Sequence, residues 1–190
     1  MRRALSVLVV AFSMCAAPVA RAADEFVFDA GHTLVMFAAD HFGFTRVFGR
    51  FNDVDGQFTI DRENATNNSV SVKINAASLD TGVADRDKHL RSPDFFNVGE
   101  HPAITFESTG VTFGDGDALR VAGNLTMLGV TKPVALDLKI NKVAPLRGAL
   151  VAGISGSLVV KRSEFGMSFL SNGIGDEIQI WIEVEGKKQG

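Results

Sequence analysis

Apolar and polar residues alternate with a period of two over much of the chain, which is typical of β-strands with one buried face. In "SVSVKINA" (69–76) the alternation places Val70, Val72 and Ile74 on one face. The stretches 118–128, 133–141 and 177–186 alternate in the same way. We therefore predict four clear strands in these regions.

Four further stretches are apolar enough to form strands, although their alternation is less regular. They are 32–40, 45–60, 103–113 and 149–162, and turn sequences such as "GDGD" and "SNGIGD" separate the strands. Gly49 and Gly56 interrupt the longest stretch, and we expect bends or bulges there. The sequence thus predicts an all-β domain of eight strands.

Eight antiparallel strands with one apolar face each must close or stack to hide that face. A closed barrel can hold side chains or one small ligand, and a two-sheet sandwich is the alternative that the periodicity leaves open. Between residues 83 and 97 the alternation stops, and Ser92-Pro93 resembles the start of a helix. We expect one or two short helices in this segment.

The first 22 residues read as an export leader, with two arginines at the start, an apolar run over 4–17 and "ARA" at the end. Cleavage after Ala22 would leave one domain over 23–190, in the periplasm or outside the cell. An uncleaved membrane anchor is the alternative, although the apolar run is too short to span a bilayer. The one cysteine, Cys15, lies in this leader, so we expect no disulfide in the mature chain.

The net charge is −3 for the whole chain, and removing the three arginines of the leader takes it to −6, with 16 basic residues against 22 acidic. No basic stripe remains, which argues against a nucleic-acid partner. The aromatic composition is unusual, with 15 Phe, one Trp and no Tyr. Phenylalanine adds ring surface without a hydroxyl that needs a hydrogen-bond partner, so this composition favours a dry interior.

No stretch matches a catalytic or metal-binding motif. The four histidines, His32, His41, His89 and His101, are far apart in the sequence. A zinc site assembled across strands would need only convergence in space, but we predict no metal. "GISGS" (153–157) lacks the spacing and the following helix of a serine nucleophile elbow, and the glycine turns lack the helix of a phosphate loop.

Two segments combine aromatic and charged residues. "DHFGFTRVFGRF" (40–51) holds four phenylalanines beside a histidine and two arginines. "DRDKHLRSPDFFNVGEHPAITF" (85–106) places a charged turn next to a pair of phenylalanines. Such segments suit an apolar ligand whose polar head must stay paired or hydrated, and core phenylalanines with solvated charges are the alternative.

The chain resembles the YceI family of bacterial secreted proteins over nearly its whole length after the leader. The most specific matching text is "RDKHLRSPDFF" (86–96) and "LTMLGVTKPV" (125–134), with "DAGHTLVMF" (29–37) nearer the start. Thr33 stands where the family more often has Ser. The resemblance implies a lipocalin-like antiparallel barrel with an apolar tunnel for polyisoprenoid, quinone or other lipid-like chains, and short helices over 85–97 beside its opening. It implies no catalytic residue.

On this interpretation the apolar chain of the ligand lies inside the barrel and its polar head lies at the mouth. We expect the chain to contact Phe37, Phe42, Phe44, Phe48, Phe58, Phe95, Phe106, Leu125 and Ile180. We expect the head group to be bound by Arg46, Arg86, His89, Arg91, Lys132 and Arg162. The expected partner is a hydrophobic small molecule, with no cofactor and no stable membrane insertion.

Two other functions remain open on the sequence. An enzyme acting on a hydrophobic substrate could use His89 and Asp87 as an acid–base pair at the barrel mouth. A stress-related structural module could self-associate through an exposed strand edge, and a homodimer is one form that this could take.

Overall fold

A computed structural model describes residues 23–189 of the protein. The predicted leader, residues 1–22 with Cys15, lies outside the described residues. Eleven strands and one α-helix, α1 (Ala84–Leu90), are present in the described range. The strands are β1 (Asp24–Phe28), β2 (Leu34–His41), β3 (Thr45–Phe51), β4 (Val54–Ile60), β5 (Val70–Asn75), β6 (Leu79–Asp80), β7 (Ala103–Phe113), β8 (Ala118–Met127), β9 (Val130–Leu146), β10 (Ala149–Lys161) and β11 (Glu177–Lys188).

These strands form a closed antiparallel barrel with eight strand positions. The order β1-β4-β5-β7-β8-β9-β10-β11 returns to β1, because Phe28 pairs with Gly186 of β11. Further along β11, the place of β1 is taken by β2, in which Val35 lies opposite Ile182. In the same way β3 pairs with β2 and takes the place of β4, and β6 pairs with β3 and takes the place of β5. Three of the eight positions are therefore interrupted strands. The predicted barrel is confirmed, and the two-sheet sandwich does not form.

All eight predicted strands are present, but the interruptions were not predicted. The stretch 45–60 is two strands, and the break falls at Asn52 and Asp53. Gly49 and Gly56, where we expected bends, lie inside β3 and β4. A Cβ on Gly49 would come within 2.3 Å of Cζ of Phe37, so this glycine makes room for a ring. The short strands β1 and β6 were also missed.

The helical segment between β6 and β7 covers one end of the barrel. α1 begins at Ala84 with acidic residues in its first turn, which suits the positive end of the helix dipole. One helix forms here; the expected second one is a series of turns, in which Ser92 accepts hydrogen bonds from the N–H groups of Phe95 and Asn97. Within 23–189 no helix has the length and apolar character needed to cross a membrane.

The interior is filled at one end of the barrel. There the rings of Phe26 and Phe58 stack with 5.1 Å between centroids, and they pack with Ile140, Ala152 and Val184. All five side chains are buried. This layer lies at the β1 end and forms a floor, while the half of the barrel beneath α1 is hollow.

Candidate functional site

A cavity of about 360 Å³ occupies the hollow half of the barrel. Its size lies in the lower part of the range for small-molecule sites. The inward faces of the strands supply almost all of its lining. The aliphatic part consists of Val35, Ala39, Val47, Val70, Val72, Ile74, Leu90, Ile104, Leu125, Val134, Leu136, Leu138, Ile154, Leu158, Val160, Leu170, Ile174, Ile178, Ile180, Ile182 and Val184, with Phe28, Phe37, Phe51, Phe58, Phe95, Phe96 and Phe106 as the aromatic part.

Two of the aromatic rings reach over a glycine on the neighbouring strand and fill the space that a side chain would take there. Phe37 is directly opposite Gly49 in the β2–β3 pair. Phe106 of β7 lies against Gly123 of β8, where a Cβ would come within 2.3 Å of its Cζ. Since both rings occupy the space of missing side chains, the centre of the barrel stays open.

The mouth of the cavity is where its polar lining lies. Within the described chain, the polar lining residues are Asp40 and His41 at the end of β2, Arg86 and His89 on α1, and Arg162 at the end of β10. Leu170, in the loop between β10 and β11, lines the same opening. Three elements therefore surround the mouth: the β2–β3 turn, α1 and the loop 162–176.

Arg162 holds the loop 162–176 in place through hydrogen bonds to its backbone. It is buried, with 3% of its surface exposed, and its guanidinium donates to the backbone carbonyls of Gly175, Met167, Phe169 and Ile174 at 2.9–3.1 Å. The loop is closed further by Asp176, which accepts from the N–H of Ser163 at 2.9 Å and from its hydroxyl at 2.8 Å. These hydrogen bonds, led by the one from the Ser163 N–H, lower the pKa of Asp176.

Arg86 and Asp87 both bind Thr81, just before α1. Arg86 donates from Nε to the Thr81 hydroxyl and from Nη2 to its carbonyl, each at 2.7 Å. The buried Asp87 carboxylate accepts from the N–H and hydroxyl of the same threonine. Thr81 thus fixes the start of the helix and holds the Arg86 guanidinium at the cavity mouth.

His89 is held by a different carboxylate. Its Nε2 lies 2.9 Å from Oδ2 of Asp94, and its ring meets those of Phe95 and Phe169 edge-on at 5.0 and 5.3 Å. The acid–base pair of His89 with Asp87 that the sequence suggested does not form, because Asp87 binds Thr81. His89 instead joins α1 to the loop 162–176 across the mouth.

Six of the nine residues expected to contact the apolar chain line the cavity: Phe37, Phe58, Phe95, Phe106, Leu125 and Ile180. The other three do not. Phe42 and Phe44 lie in the β2–β3 turn, and Phe48 lies on the outer face of β3, where it stacks on Trp181 with 6.0 Å between centroids. Our assignment of these three to the interior was wrong, since Val47 and Phe51 are the inward residues of β3.

Three of the six head-group candidates line the mouth, namely Arg86, His89 and Arg162. The other three are elsewhere. Arg46 is exposed on the outer face of β3, and Arg91 donates to the carbonyls of Ala77 and Leu79, which ties the end of α1 to β6. Lys132 is opposite Leu125 on β9 but does not line the cavity.

The sequence reasoning missed most of the aliphatic lining. The alternating faces of β5 and β11, such as Val72 and Ile182, were identified as apolar but not assigned to the ligand. Their regular alternation was a better signal than the local density of phenylalanine in 40–51.

One group of side chains that could in principle bind a metal ion lies outside this site. Asp29, His32 and Glu185 bring their ligand atoms within 4.8 Å of one another. Lys187 already binds Asp29 at 2.7 Å, and this hydrogen bond is the largest cause that lowers the pKa of Asp29 to about 2. The arrangement is that of an ion-pair cluster around Asp29.

The sequence and the fold agree with those of one known family. A family model for a YceI-like domain matches residues 26–186. The chain belongs to the YceI family. Protein YceI of Escherichia coli O157:H7 is 40% identical over 191 residues, which cover 100% of both chains. The resemblance seen in the sequence is therefore confirmed.

Solved structures show the same fold. A YceI protein from Campylobacter jejuni is 30% identical to this chain, with a TM-score of 0.69 over 77% of this chain and 87% of that one. A domain from Saccharophagus degradans, called polyisoprenoid-binding and implicated in plant cell wall breakdown, has a TM-score of 0.65 at 14% identity, over 88% of this chain and 99% of that one. This second likeness shows the fold alone.

Proposed function

We propose that this YceI protein is a non-catalytic carrier that holds the apolar chain of an amphiphile inside its barrel. The observation that carries the proposal is the cavity of about 360 Å³, which is lined by apolar side chains except near its mouth and has Phe58 at its floor. A polyisoprenoid, quinone or fatty-acid-like chain has the chemistry that such a cavity accepts. The name of the Saccharophagus degradans neighbour, a polyisoprenoid-binding domain, supports the same proposal.

The volume limits how much of the chain can enter. A cavity of about 150 Å³ holds one benzene ring, so at that ratio this one holds roughly 12–15 carbon atoms, or about three isoprene units. Burial contributes about 25 cal/mol for each Å² of apolar surface removed from water, so a chain of this length needs few polar contacts. A longer chain would extend out through the mouth.

The head group would lie beside Arg86 and His89. A phosphate or quinone oxygen leaving water needs donors, and a guanidinium can supply several at once. Thr81 takes two of the five N–H donors of Arg86 and fixes its plane at the mouth. We assign Arg162 to loop support, since its hydrogen bonds already go to four backbone carbonyls.

We also propose that the carrier works in the periplasm or outside the cell. The support is the leader-like sequence of residues 1–22. Recovery of the protein from the periplasmic fraction with Ala23 as its first residue is the expected result. Recovery of the full-length chain from the cytoplasm would contradict it.

The test of the carrier function is the identity of what the protein holds. Protein purified without detergent from its own host is extracted with organic solvent, and the extract is analysed by mass spectrometry. We expect a stoichiometric amphiphile with a long hydrocarbon chain. An empty barrel that also fails to take up farnesol, a 15-carbon isoprenoid alcohol, would refute the proposal, whereas chemical turnover of farnesol would favour an enzyme.

A further inference from the structure

Large apolar side chains are exposed around the mouth of the cavity. In the β2–β3 turn, Phe44 exposes 89% of its surface and Phe42 exposes 50%. Across the mouth, in the loop 162–176, Leu170 exposes 42% and Phe169 exposes 37%. We call these four side chains the apolar rim. A cluster of exposed apolar side chains is a feature of interaction sites.

The two halves of the apolar rim are joined by backbone contacts. The N–H of Phe42 donates to the carbonyl of Gly173 at 2.6 Å, and the N–H of Gly175 donates to the carbonyl of Asp40 at 3.1 Å. The ring of Phe42 lies on Gly173, where a Cβ would come within 2.3 Å. The two segments that carry the rim are therefore joined to each other at the mouth.

The backbone at the rim adopts a conformation that bulky residues rarely take. Phe42 has φ 55° and Leu170 has φ 49°, both in the left-handed region. That region is favoured by glycine and asparagine, and a large side chain there costs free energy. The fold thus tolerates strain at two positions, and each carries an apolar side chain into solvent. A purely structural turn would favour a small or polar residue.

We propose that the apolar rim docks on the surface of a lipid bilayer, with the phenylalanine side chains in the interfacial layer and the cavity mouth facing the lipid. This inference rests on the proposed carrier function and names the partner with which the carrier exchanges its ligand. Because Leu170 belongs both to the rim and to the cavity lining, a hydrocarbon chain could pass from the bilayer to the barrel without crossing water.

The area of the rim favours a bilayer over a protein partner. Taking about 200 Å² for a whole phenylalanine, the four side chains expose on the order of 400 Å². A stable protein interface buries about 800 Å² on each partner, roughly twice this value. Binding of a bilayer by insertion has no such minimum, because it scales with the apolar area that enters the interface.

The charges near the rim predict which lipids it prefers. Arg46 and Lys88 are exposed there, and so are Asp40, Asp85 and Asp94. Basic and acidic side chains are thus mixed, and anionic lipids gain little from such a surface. Docking should therefore occur on zwitterionic lipid and should depend only weakly on salt.

The experiment measures partition of the full mature protein onto vesicles of palmitoyl-oleoyl phosphatidylcholine by flotation. We compare the wild type with Phe44→Ser, which removes the most exposed rim side chain without touching the cavity lining. Leu146→Ser is the matched control, since Leu146 is 53% exposed at the end of β9 remote from the mouth. We expect Phe44→Ser to lower the partition coefficient about tenfold or more, and Leu146→Ser to leave it unchanged.

Three results would overturn the docking proposal: a wild type that does not float with vesicles, equal losses in the two variants, or self-association in sedimentation that Phe44→Ser abolishes. The last would identify a second copy of the chain as the occupant of the rim. Solvent extraction of Phe44→Ser separates the two proposals. If Phe44→Ser still carries ligand but no longer binds vesicles, the carrier function stands. If the wild type binds vesicles but its barrel never holds ligand, the carrier function is refuted and the docking proposal stands.

Discussion

The ring of Phe106 on β7 lies against the backbone of Gly123 on the neighbouring strand β8. A Cβ at position 123 would stand 2.3 Å from Cζ of the ring and 2.6 Å from the carbonyl oxygen of Glu107. The glycine therefore sets the position of the ring. Because the ring of Phe106 fills the space beside Gly123, it leaves the centre of the barrel open.

Gly123→Ala should both destabilise the protein and reduce the cavity. The added methyl group must push Phe106 toward the lumen, which we expect to cost about 1–3 kcal/mol of unfolding free energy, as for other overpacked sites. Urea denaturation and farnesol uptake measure the two effects. Gly110→Ala is the control, since a Cβ there meets nothing within 4 Å and should change stability by less than about 0.5 kcal/mol. Equal effects would show that Gly123 is not a packing position.

Enlarging a side chain inside the cavity should block the ligand without unfolding the barrel. Val72 lines the void and is half-buried, whereas Val121 is 1% exposed and packs with Phe106 and Leu136. Val72→Phe should cost less than about 1 kcal/mol because it fills existing space, while Val121→Phe should cost about 1–3 kcal/mol.

The binding readout completes this comparison. Farnesol uptake should fall sharply in Val72→Phe, because the new ring occupies volume that the hydrocarbon chain needs. If Val72→Phe destabilised the protein as much as Val121→Phe, the space beside Val72 would be ordinary core rather than a binding cavity.

The fold could be predicted from the sequence because the alternation of side chains repeats in every long strand. One face of β5 is apolar, with Val70, Val72 and Ile74. Closing eight such strands into a barrel buries all of their apolar faces. The interruptions could not be predicted, since β1 and β6 exist as strands only through distant partners. Phe28 pairs with Gly186, and Leu79 pairs with Phe51, and no local pattern reports such contacts.

The site was predicted less well because alternation tells which residues share a face but not which face is inner. Arg46 and Phe48 share a face of β3, as the period of two requires, but it is the outer face. Phe42 and Phe44 lie in a turn, where the positive φ of Phe42 ends the alternation. Their chemistry suggested ligand binding inside the barrel, whereas their position makes them part of the apolar rim.

Removal of the Arg162 guanidinium should release the loop 162–176. Arg162→Met leaves one buried and three partly buried carbonyls without their donors, and an unsatisfied buried group costs about 1–3 kcal/mol. We expect a loss of about 3–5 kcal/mol after partial relaxation of the loop, together with faster amide hydrogen exchange over 167–175. Lys161→Met, on the exposed neighbour, is the control. Unchanged exchange in Arg162→Met would show that the loop is held by other contacts.

The ion-pair cluster around Asp29 should make stability depend on acid pH. The pKa of Asp29 is lowered from 3.8 to about 2, first by the hydrogen bond from Lys187 and then by that of His32. Since the folded pKa lies below the unfolded one, the stabilisation is present above about pH 4 and is lost as the pH falls through about 2.

Asp29→Asn isolates this contribution, because the amide oxygen can still accept from the N–H of Gly31. The unfolding free energy of the wild type should fall more steeply between about pH 4 and pH 2 than that of the variant. This difference in slope between the wild type and Asp29→Asn should shrink in high salt, because Lys187, the partner of Asp29, is exposed and its charge is screened. Parallel curves for the two proteins would mean that the pair contributes nothing to folding.

Arg86→Met should distinguish ligands by their head groups. The methionine keeps an apolar stem at the mouth but removes a guanidinium that can donate charge-assisted hydrogen bonds, each worth about 1.5–3 kcal/mol. Farnesyl diphosphate and farnesol have the same 15-carbon chain and differ in the head, so the ratio of their affinities cancels any change in the barrel itself. We expect the affinity for farnesyl diphosphate, divided by that for farnesol, to fall about 10- to 100-fold in Arg86→Met. The same ratio should stay constant in Lys88→Met, because Lys88 lies on the exposed face of the same helix. A ratio unaffected by Arg86→Met would show that the head group does not bind the Arg86 guanidinium.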